Sequence, residues 1–261
     1  MRFRRPASRP PAGTPQDDGM VTAQISKAWT GARGRIWRRP GLPAAVTILA
    51  AANVVVTRIR PGAAVAVNLA AAALLLIVAR RSGASWEDMG LGSARLRRGL
   101  LIGAGVAGAV GMVYLVGLGL PATRELFVDE RAGGPLSGLL WQVMVGIPLG
   151  TIVLEEIAFR GVLPALVGGS FWRGAMVSSA LFGLWHVLPA IGLGATNVGV
   201  GSAIGELAGS AQVGLVVLGT AAAGLLLVAQ RRWSGHLVTP ALAHLTTNVL
   251  GALIAWRMIM R

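Results

Sequence analysis

The chain has 261 residues, of which 54% are hydrophobic and 13% are charged, with 37 glycines and a mean hydropathy of +0.66. This composition excludes an ordinary soluble globular protein and predicts a polytopic membrane protein. The formal net charge is +14, but the arginines punctuate apolar runs and form no basic face with interleaved aromatics, so we expect no nucleic-acid partner. The chain has no cysteine, which excludes disulfides, a thiolate nucleophile and Cys-ligated zinc.

Residues 1–40 form a basic and polar segment. Their arginines are spread among proline, glycine, serine and threonine, a composition that cannot bury enough apolar surface to fold alone. No apolar stretch follows the basic start within the first 30 residues, so we expect no secretory signal peptide. We predict a disordered basic arm on the cytoplasmic side, attracted to the anionic head groups of the lipid bilayer.

Apolar segments of nearly membrane-spanning length follow the arm, and a spanning helix needs about 20 residues. We predict an all-α fold, a polytopic transmembrane helical bundle of about seven (six to eight) spanning helices with an intramembrane cavity. The predicted spans are Gly41–Thr57, Pro61–Ala79, Gly99–Leu120, Leu136–Val167, Phe171–Ala190, Val213–Ala229 and Leu237–Trp256. The glycine-rich stretch 191–211 has room for a further short or re-entrant helix.

The distribution of arginine orients these spans, because inner loops carry an excess of Lys and Arg. With the basic arm in the cytoplasm, the predicted inner loops contain Arg80, Arg81, Arg95, Arg97, Arg98, Arg173, Arg231 and Arg232. The outer loops are poorer in Lys and Arg, with Arg58 and Arg60 as exceptions to the rule, and seven spans place the carboxyl terminus outside. Because arginine greatly outnumbers lysine, as in GC-rich bacterial coding, we expect a multi-pass protein of the bacterial inner membrane.

Few ionisable groups lie inside the predicted spans, and one amide, that of Asn248, lies beside them. An acidic or basic residue at mid-bilayer costs about 2.5 to 3.5 kcal/mol on insertion scales, so such residues persist mainly where a bundle interior uses them. These candidates are Glu155, Glu156, Arg160, His186, His244 and Asn248.

The stretch LEEIAFRG, residues 154–161, places two carboxylates and an arginine in one span. Glu156 and Arg160 are at positions i and i+4 of a helix, so they can form an ion pair on one face. Glu155 is turned by about 100 degrees from Glu156 and cannot use the same hydrogen bonds. We therefore predict different environments for the two carboxylates, one held ionised and the other free to accept a proton.

Two later spans each present an imidazole. The sequence FGLWH, residues 182–186, places Phe182 and His186 on one helix face, and HLTTN, residues 244–248, does the same for His244 and Asn248. Measured along the predicted helices at about 1.5 Å per residue, Glu155 and both histidines can converge on one inward-facing cavity once helix tilt is allowed.

Each element also has a purely structural interpretation. The pair of Glu156 and Arg160 can fix packing alone, and His186 or Asn248 taken singly can be a hydrogen-bonded residue between helices. His236 lies near the inner start of the last span, where we expect an interfacial residue. The chain has only three histidines, so two of them together with carboxylates and an amide on three helices favour a functional site.

The three stretches resemble, in order, the motifs of the CPBP family, which comprises the type II CAAX prenyl endopeptidases and the bacterial Abi proteins. EEIAFRG is similar to E-E-x-x-x-R, FGLWH to F-x-x-x-H and HLTTN to H-x-x-x-N. The resemblance covers about residues Leu136–Trp256. It implies an intramembrane endopeptidase with its site in an inward-opening cavity of a helical bundle.

The resemblance also implies a role for each carboxylate. Glu155 would be the general base that activates water, and His186 would help to position that water. Glu156, paired with Arg160, would orient the site. Glutamate can abstract a proton, which agrees with this assignment.

The same resemblance makes His244 and Asn248 the groups that bind water or the developing oxyanion. Members of the family have been labelled metalloproteases, and His186 and His244 with a glutamate are a credible ligand set for Zn²⁺. The sequence contains no H-E-x-x-H, and the same groups could activate water without a metal. Both mechanisms stay open at this point.

The predicted organisation has three parts: the arm 1–40, amino-terminal transmembrane helices and loops over 41–135, and a CPBP/Abi-like catalytic core over 136–256. The expected partners are the bilayer and a membrane-anchored peptide or protein substrate. Two alternatives remain: a proton-coupled transporter, which also needs Glu and His in a bundle core, and a non-catalytic immunity or scaffold protein. A transporter would usually show internal repeats, and a non-catalytic protein would lose one of the motifs. The chain shows no obvious repeat and keeps all three motifs.

Overall fold

The computed structural model describes residues 41–261, so the predicted basic arm lies outside the described residues. Seven main helices cover this part of the chain, and we number them in chain order. They are α1 Gly41–Val54, α2 Ala64–Arg81, α3 Leu96–Gly119, α4 Leu136–Val167, α5 Phe171–Trp185, α6 Gly209–Ser234 and α7 Val238–Ile259. Residues 41–261 contain no β-strand, and the prediction of an all-α bundle is confirmed.

Within the described residues, six helices are long and apolar enough to cross a membrane; α1, α2 and α3 reach that length with the short helical turns that adjoin them, as Gly41–Ile59, Pro61–Arg81 and Ser93–Gly119, whereas α5 is too short. The predicted span Phe171–Ala190 is therefore wrong as a single helix, because α5 ends at Trp185. The physical cause is the next side chain. Nδ1 of His186 lies 2.8 Å from the carbonyl oxygen of Phe182, the acceptor that an α-helix would offer to the His186 backbone N–H. The backbone N–H of His186 turns to the carbonyl of Gly183 instead.

Short helices complete the crossing that α5 begins. They occupy Val187–Ala190, Leu193–Thr196 and Val198–Ile204. The predicted short helix within 191–211 is therefore present, as two pieces. They reach the loop after α3, where the backbone N–H of Val198 donates to the carbonyl of Val128 at 3.0 Å.

One end of the bundle, which we call the arginine end, carries most of the loop arginines. The loop after α2 meets the start of α7, because the backbone N–H of Leu237 donates to the carbonyl of Gly90 at 2.8 Å. The start of α3 meets the end of α6 through Arg98, which donates to the carbonyl of Trp233 at 3.0 Å. The predicted inner-loop arginines gather at this end: Arg80, Arg81, Arg95, Arg97, Arg98, Arg173, Arg231 and Arg232.

The opposite end holds the carboxyl terminus of the chain. The indole of Trp256, near the end of α7, donates to the carbonyl of Gly134 in the loop before α4 at 2.9 Å. The side-chain amide of Asn197 donates to the carbonyl of Leu126 in the same loop at 3.1 Å. The structure thus places the carboxyl terminus and the start of α1 at opposite ends, as an odd number of crossings requires.

Two asparagines join the amino-terminal helices to the rest of the bundle. Asn53 of α1 donates to the carbonyl of Trp185 at 2.8 Å, and Asn68 of α2 donates to the carbonyl of Gly150 in α4 at 2.5 Å. Both side chains are buried. In a membrane, an apolar side chain gains little by exchanging lipid contacts for protein contacts. Hydrogen bonds between helices therefore help to hold the bundle together.

A close approach of backbones fixes α5 against α6. A Cβ added at Gly183 would lie 2.6 Å from the carbonyl oxygen of Val217 and 3.0 Å from Cβ of Ala221. Small residues at such positions let two membrane helices pack tightly. This contact sets the position of the FGLWH stretch relative to α4.

Candidate active site

The helix that carries both carboxylates is not a regular α-helix. Wider π-helical turns occupy Gln142–Gly146, Pro148–Ile152 and Glu156–Val162 within α4. Pro148 and Pro164 contribute to this irregularity, because proline has no backbone N–H for the preceding turn. Such π-turns occur frequently at functional sites, where they change the direction of side chains.

Glu156 lies between a cation and an imidazole. Its Oε1 is 3.3 Å from Nη1 of Arg160 and 2.8 Å from Nδ1 of His244 on α7. Arg160 is fully buried and Glu156 is 2% exposed. The predicted i, i+4 ion pair is confirmed, and it is joined to the third motif through His244.

Glu155 has a different set of partners. Its Oε1 accepts a hydrogen bond of 2.9 Å from the indole Nε1 of Trp185. Its Oε2 is 3.8 Å from Nε2 of His244, which is too long for a hydrogen bond. The two carboxylates therefore occupy distinct environments, as predicted, and they also face opposite nitrogens of one imidazole.

Phe182 lies at the centre of the cluster and is buried. The guanidinium carbon of Arg160 stands 3.9 Å from its ring centroid, a distance at which an aromatic ring stabilises a cation. The imidazoles of His186 and His244 meet the same ring edge-on, with centroid distances of 4.6 Å and 6.1 Å. The aromatic residue of F-x-x-x-H thus supports the arginine of E-E-x-x-x-R.

The structure brings four of the six predicted site residues into direct contact, and the other two stand apart. His186 bonds to its own helix at Phe182, and no hydrogen bond or ion pair within residues 41–261 joins it to either carboxylate. Asn248 follows His244 by one turn of α7 and is partly exposed. Its amide makes no hydrogen bond to the described part of the chain.

Several polar atoms of the cluster are buried without a protein hydrogen-bond partner among the described residues. They include Oε2 of Glu155, Oε2 of Glu156 and the three side-chain nitrogens of Arg160. Buried polar atoms in proteins normally have partners, and exceptions mark functional sites or water positions. The cluster therefore has hydrogen-bonding capacity left for water or for a peptide.

The site residues do not form a metal-ligand cluster among the described residues. No group of three or more His, Asp or Glu side chains among residues 41–261 could hold one. Nδ1 of His244 is bonded to Glu156 and Nδ1 of His186 to the carbonyl of Phe182, so Nε2 is the nitrogen that each imidazole keeps open. Zinc ligation by His186 and His244 stays a prediction.

Two residues of the site were not predicted from the sequence. Trp185 bonds to Glu155, and Asn53 bonds to the carbonyl of Trp185. Trp185 carries a signal that could have identified it, since an indole N–H inside an apolar span needs an acceptor. Asn53 carries no such signal, because a single amide is common between membrane helices.

An apolar cavity of about 300 Å³ lies beside the cluster, between α1 and α5. Trp185 and Phe159 form its inner wall, and Asn53 is its polar member. Val54 and Leu184 at its rim are 44% and 57% exposed, so the cavity opens on the outer surface of the bundle. This space is separate from the carboxylates but shares Trp185 with them.

Comparison with known proteins identifies the part of the chain that carries these groups. Residues 137–250 match the sequence model of a family described as Type II CAAX prenyl endopeptidase Rce1-like. No curated protein and no solved structure shows a significant match. The matched segment contains all three motifs, and it supports a protease over a carrier or a non-catalytic scaffold. The resemblance noted in the sequence is thus confirmed over residues 137–250 of this membrane protein, the segment that is similar to the type II CAAX prenyl endopeptidase Rce1-like family.

Proposed function

We propose that this protein is an intramembrane endopeptidase that uses Glu155 to activate water against a peptide bond of a membrane-associated protein or peptide. The observation that carries the proposal is the pair of atoms Oε2 of Glu155 and Nε2 of His244, 3.8 Å apart. They are too far apart to bond to each other, yet one water oxygen can lie within hydrogen-bond distance of both. The family match of residues 137–250 supports peptide hydrolysis as the reaction.

In this proposal Glu156 is ionised beside Arg160 and accepts a hydrogen bond from His244. A carboxylate only accepts hydrogen bonds, so the proton of the 2.8 Å contact is on Nδ1 of His244. In a neutral imidazole, Nε2 then carries a lone pair directed toward the side of Glu155. A water molecule that donates to Glu155 and to His244 turns its own lone pairs toward a bound peptide.

In the proposed reaction the water oxygen attacks the peptide carbonyl carbon while one water proton passes to Oε2 of Glu155. The carbonyl oxygen becomes negatively charged, and the amide of Asn248 is the donor on α7 that can stabilise it. The C–N bond then breaks, and the proton held by Glu155 moves to the leaving amine. The second water proton leaves the new carboxylic acid for the amine, so the products are a carboxylate and an ammonium group, and no nucleophilic side chain is consumed. The predicted help of His186 in positioning this water is left out of the proposal, because the one hydrogen bond of its imidazole in the described residues is the one from Nδ1 to the carbonyl of Phe182.

The proposed location is the bacterial inner membrane with the arginine end in the cytoplasm. Support comes from the arginines gathered at that end, since Lys and Arg are enriched on the cytoplasmic side of membrane proteins. The substrate in this proposal is anchored in the same bilayer, so that its scissile bond reaches the cluster between the helices.

The test is cleavage of a labelled library of membrane-anchored peptides in proteoliposomes. We expect Glu155→Gln and His244→Ala to reduce cleavage by about 100-fold or more, the scale of a lost acid–base group. Glu125→Gln, an exposed carboxylate in the loop before α4, is the matched control and should keep wild-type activity. Cleavage that persists in Glu155→Gln would rule out the proposed base, and chelator inhibition reversed by Zn²⁺ would establish a metal-dependent reaction instead.

A further inference from the structure

The last residue of α5 is held by a side chain of α1. The last carbonyl groups of a helix have no intrahelical partner, and Trp185 is the last residue of α5. Its carbonyl oxygen accepts a hydrogen bond of 2.8 Å from Asn53 of α1. Asn53 is 9% exposed, so this bond is formed inside the bundle. A helix outside the matched segment 137–250 therefore fixes the backbone of Trp185.

The indole ring of Trp185 is held by a second helix, α4. Phe159 of α4 packs edge-on against Trp185, with ring centroids 5.8 Å apart, which restricts the orientation of the indole. In that orientation its N–H reaches Oε1 of Glu155 at 2.9 Å. The backbone of Trp185 is thus held by α1 and its ring by α4, while its indole N–H donates to Glu155.

The contact with Trp185 distinguishes the two carboxylate oxygens of Glu155. A carboxylate can rotate about its last side-chain bond, and either oxygen could then face His244. The indole N–H engages Oε1, which leaves Oε2 on the side of Nε2 of His244. A general base contributes fully only when its reactive atom is held in the productive geometry.

We propose that Trp185 is a positioning residue that selects Oε2 of Glu155 as the reacting oxygen, and that Asn53 of α1 holds Trp185 in place for this task. The inference rests on the proposed role of Glu155. It extends the functional machinery into the amino-terminal helices, which the family match does not include.

The experiment compares Trp185→Phe with wild type in the proteoliposome assay. Phenylalanine keeps the aromatic packing and removes the N–H, so we expect kcat to fall by about 10- to 100-fold, the scale of a misplaced catalytic group, while KM stays within about twofold. Trp172→Phe is the matched control, because Trp172 lies on the same helix and is 54% exposed. That variant should keep the wild-type kcat.

A second variant separates positioning from stability. Asn53→Leu should lower kcat by about 3- to 10-fold by loosening Trp185, and it provides the test if Trp185→Phe does not fold. Combined with Trp185→Phe, it should add little further loss, since both act through one hydrogen bond to Glu155. Independent losses that multiply in the double variant would overturn the proposed coupling.

Two results distinguish this inference from the proposed function. A wild-type kcat in Trp185→Phe, alongside inactive Glu155→Gln, would overturn the positioning role and leave the general base intact. Full activity in Glu155→Gln would overturn the proposed function itself. A loss of thermal stability with unchanged kcat in folded Trp185→Phe would assign Trp185 to packing alone and contradict the inference.

Discussion

Arg160 illustrates how a single buried charge connects the motifs. Its guanidinium is fully buried, pairs with Glu156 at 3.3 Å and stacks on Phe182. Removal of one partner from a buried ion pair leaves the other charge without compensation, which is far more costly than loss of an exposed pair. Arg160 therefore contributes to stability as well as to the shape of the site.

We expect Arg160→Met to lower the free energy of unfolding by about 3 to 5 kcal/mol, because Glu156 would stay buried without its cation. The control is Arg131→Met, whose partner is Asp129 and whose side chain is 54% exposed; such a pair contributes about 0 to 1 kcal/mol. Thermal unfolding in detergent measures both. Adding Glu156→Gln to Arg160→Met should recover part of the loss, and an unchanged unfolding temperature in Arg160→Met would contradict this account.

His236 provides a pH-dependent contribution at the arginine end. It is 7% exposed, and its Nδ1 accepts a hydrogen bond of 3.0 Å from the backbone N–H of Val238 at the start of α7. The residue lies just before the last helix, as predicted, but it is buried. Burial lowers the pKa of His236 below its ordinary value of 6.5.

The lowered pKa of His236 predicts a loss of stability in acid. Above the ordinary pKa both the folded and the unfolded states hold a neutral imidazole, so the contribution is fully present. As pH falls, the unfolded state binds the proton first, and stability declines until the folded pKa is passed. Unfolding temperatures between about pH 7.5 and pH 5.5 should fall more in wild type than in His236→Asn, which keeps an acceptor for Val238. Equal slopes for the two proteins would refute the role of His236.

At the scale of the elements, sequence patterns predicted the long helices well and the break after α5 poorly. A run of about 20 apolar residues can satisfy its backbone inside a bilayer only as a helix, so the six long spans were predictable. The end of α5 depends on the imidazole of His186 bonding to the carbonyl of Phe182, which no hydropathy pattern encodes. The contact of Trp185 with Glu155 depends on how α4 and α5 pack.

The packing of α5 on α6 can be tested at Gly183. A side chain there would meet the carbonyl of Val217 at 2.6 Å, so Gly183→Val should separate the helices and displace Phe182 and Trp185. We expect a destabilisation of about 1 to 3 kcal/mol, the usual cost of overpacking, together with a lower kcat. Gly219→Ala on α6 is the control, since nothing lies within 4 Å of a Cβ at Gly219. A fully active and stable Gly183→Val would contradict the tight packing.

At the scale of the whole molecule, the arrangement of charge predicts an orientation. Eight arginines gather at the arginine end against the acidic residues Glu87 and Asp88. At the opposite end, Glu125, Asp129 and Glu130 offset much of the positive charge. Because Lys and Arg in short loops determine topology, the arginine end should face the cytoplasm.

The absence of cysteine from the chain makes this orientation easy to measure. Ser93→Cys lies at the arginine end and Glu130→Cys at the opposite end, and both positions are exposed. A membrane-impermeant maleimide added to intact spheroplasts should label Glu130→Cys, whereas Ser93→Cys should react only after lysis. The reverse pattern would invert the proposed topology. Wild type, which cannot be labelled, supplies the background.

The apolar cavity between α1 and α5 has a consequence for any assay of this protein. Its rim residues Val54 and Leu184 are exposed on the outer surface of the bundle, where detergent tails would contact them in a micelle. Trp185 forms the inner wall of this cavity and also donates to Glu155. The alkyl chain length of the detergent can therefore affect Trp185, which is in direct contact with the proposed reacting carboxylate. Cleavage rates should be compared only between samples in detergents of the same chain length.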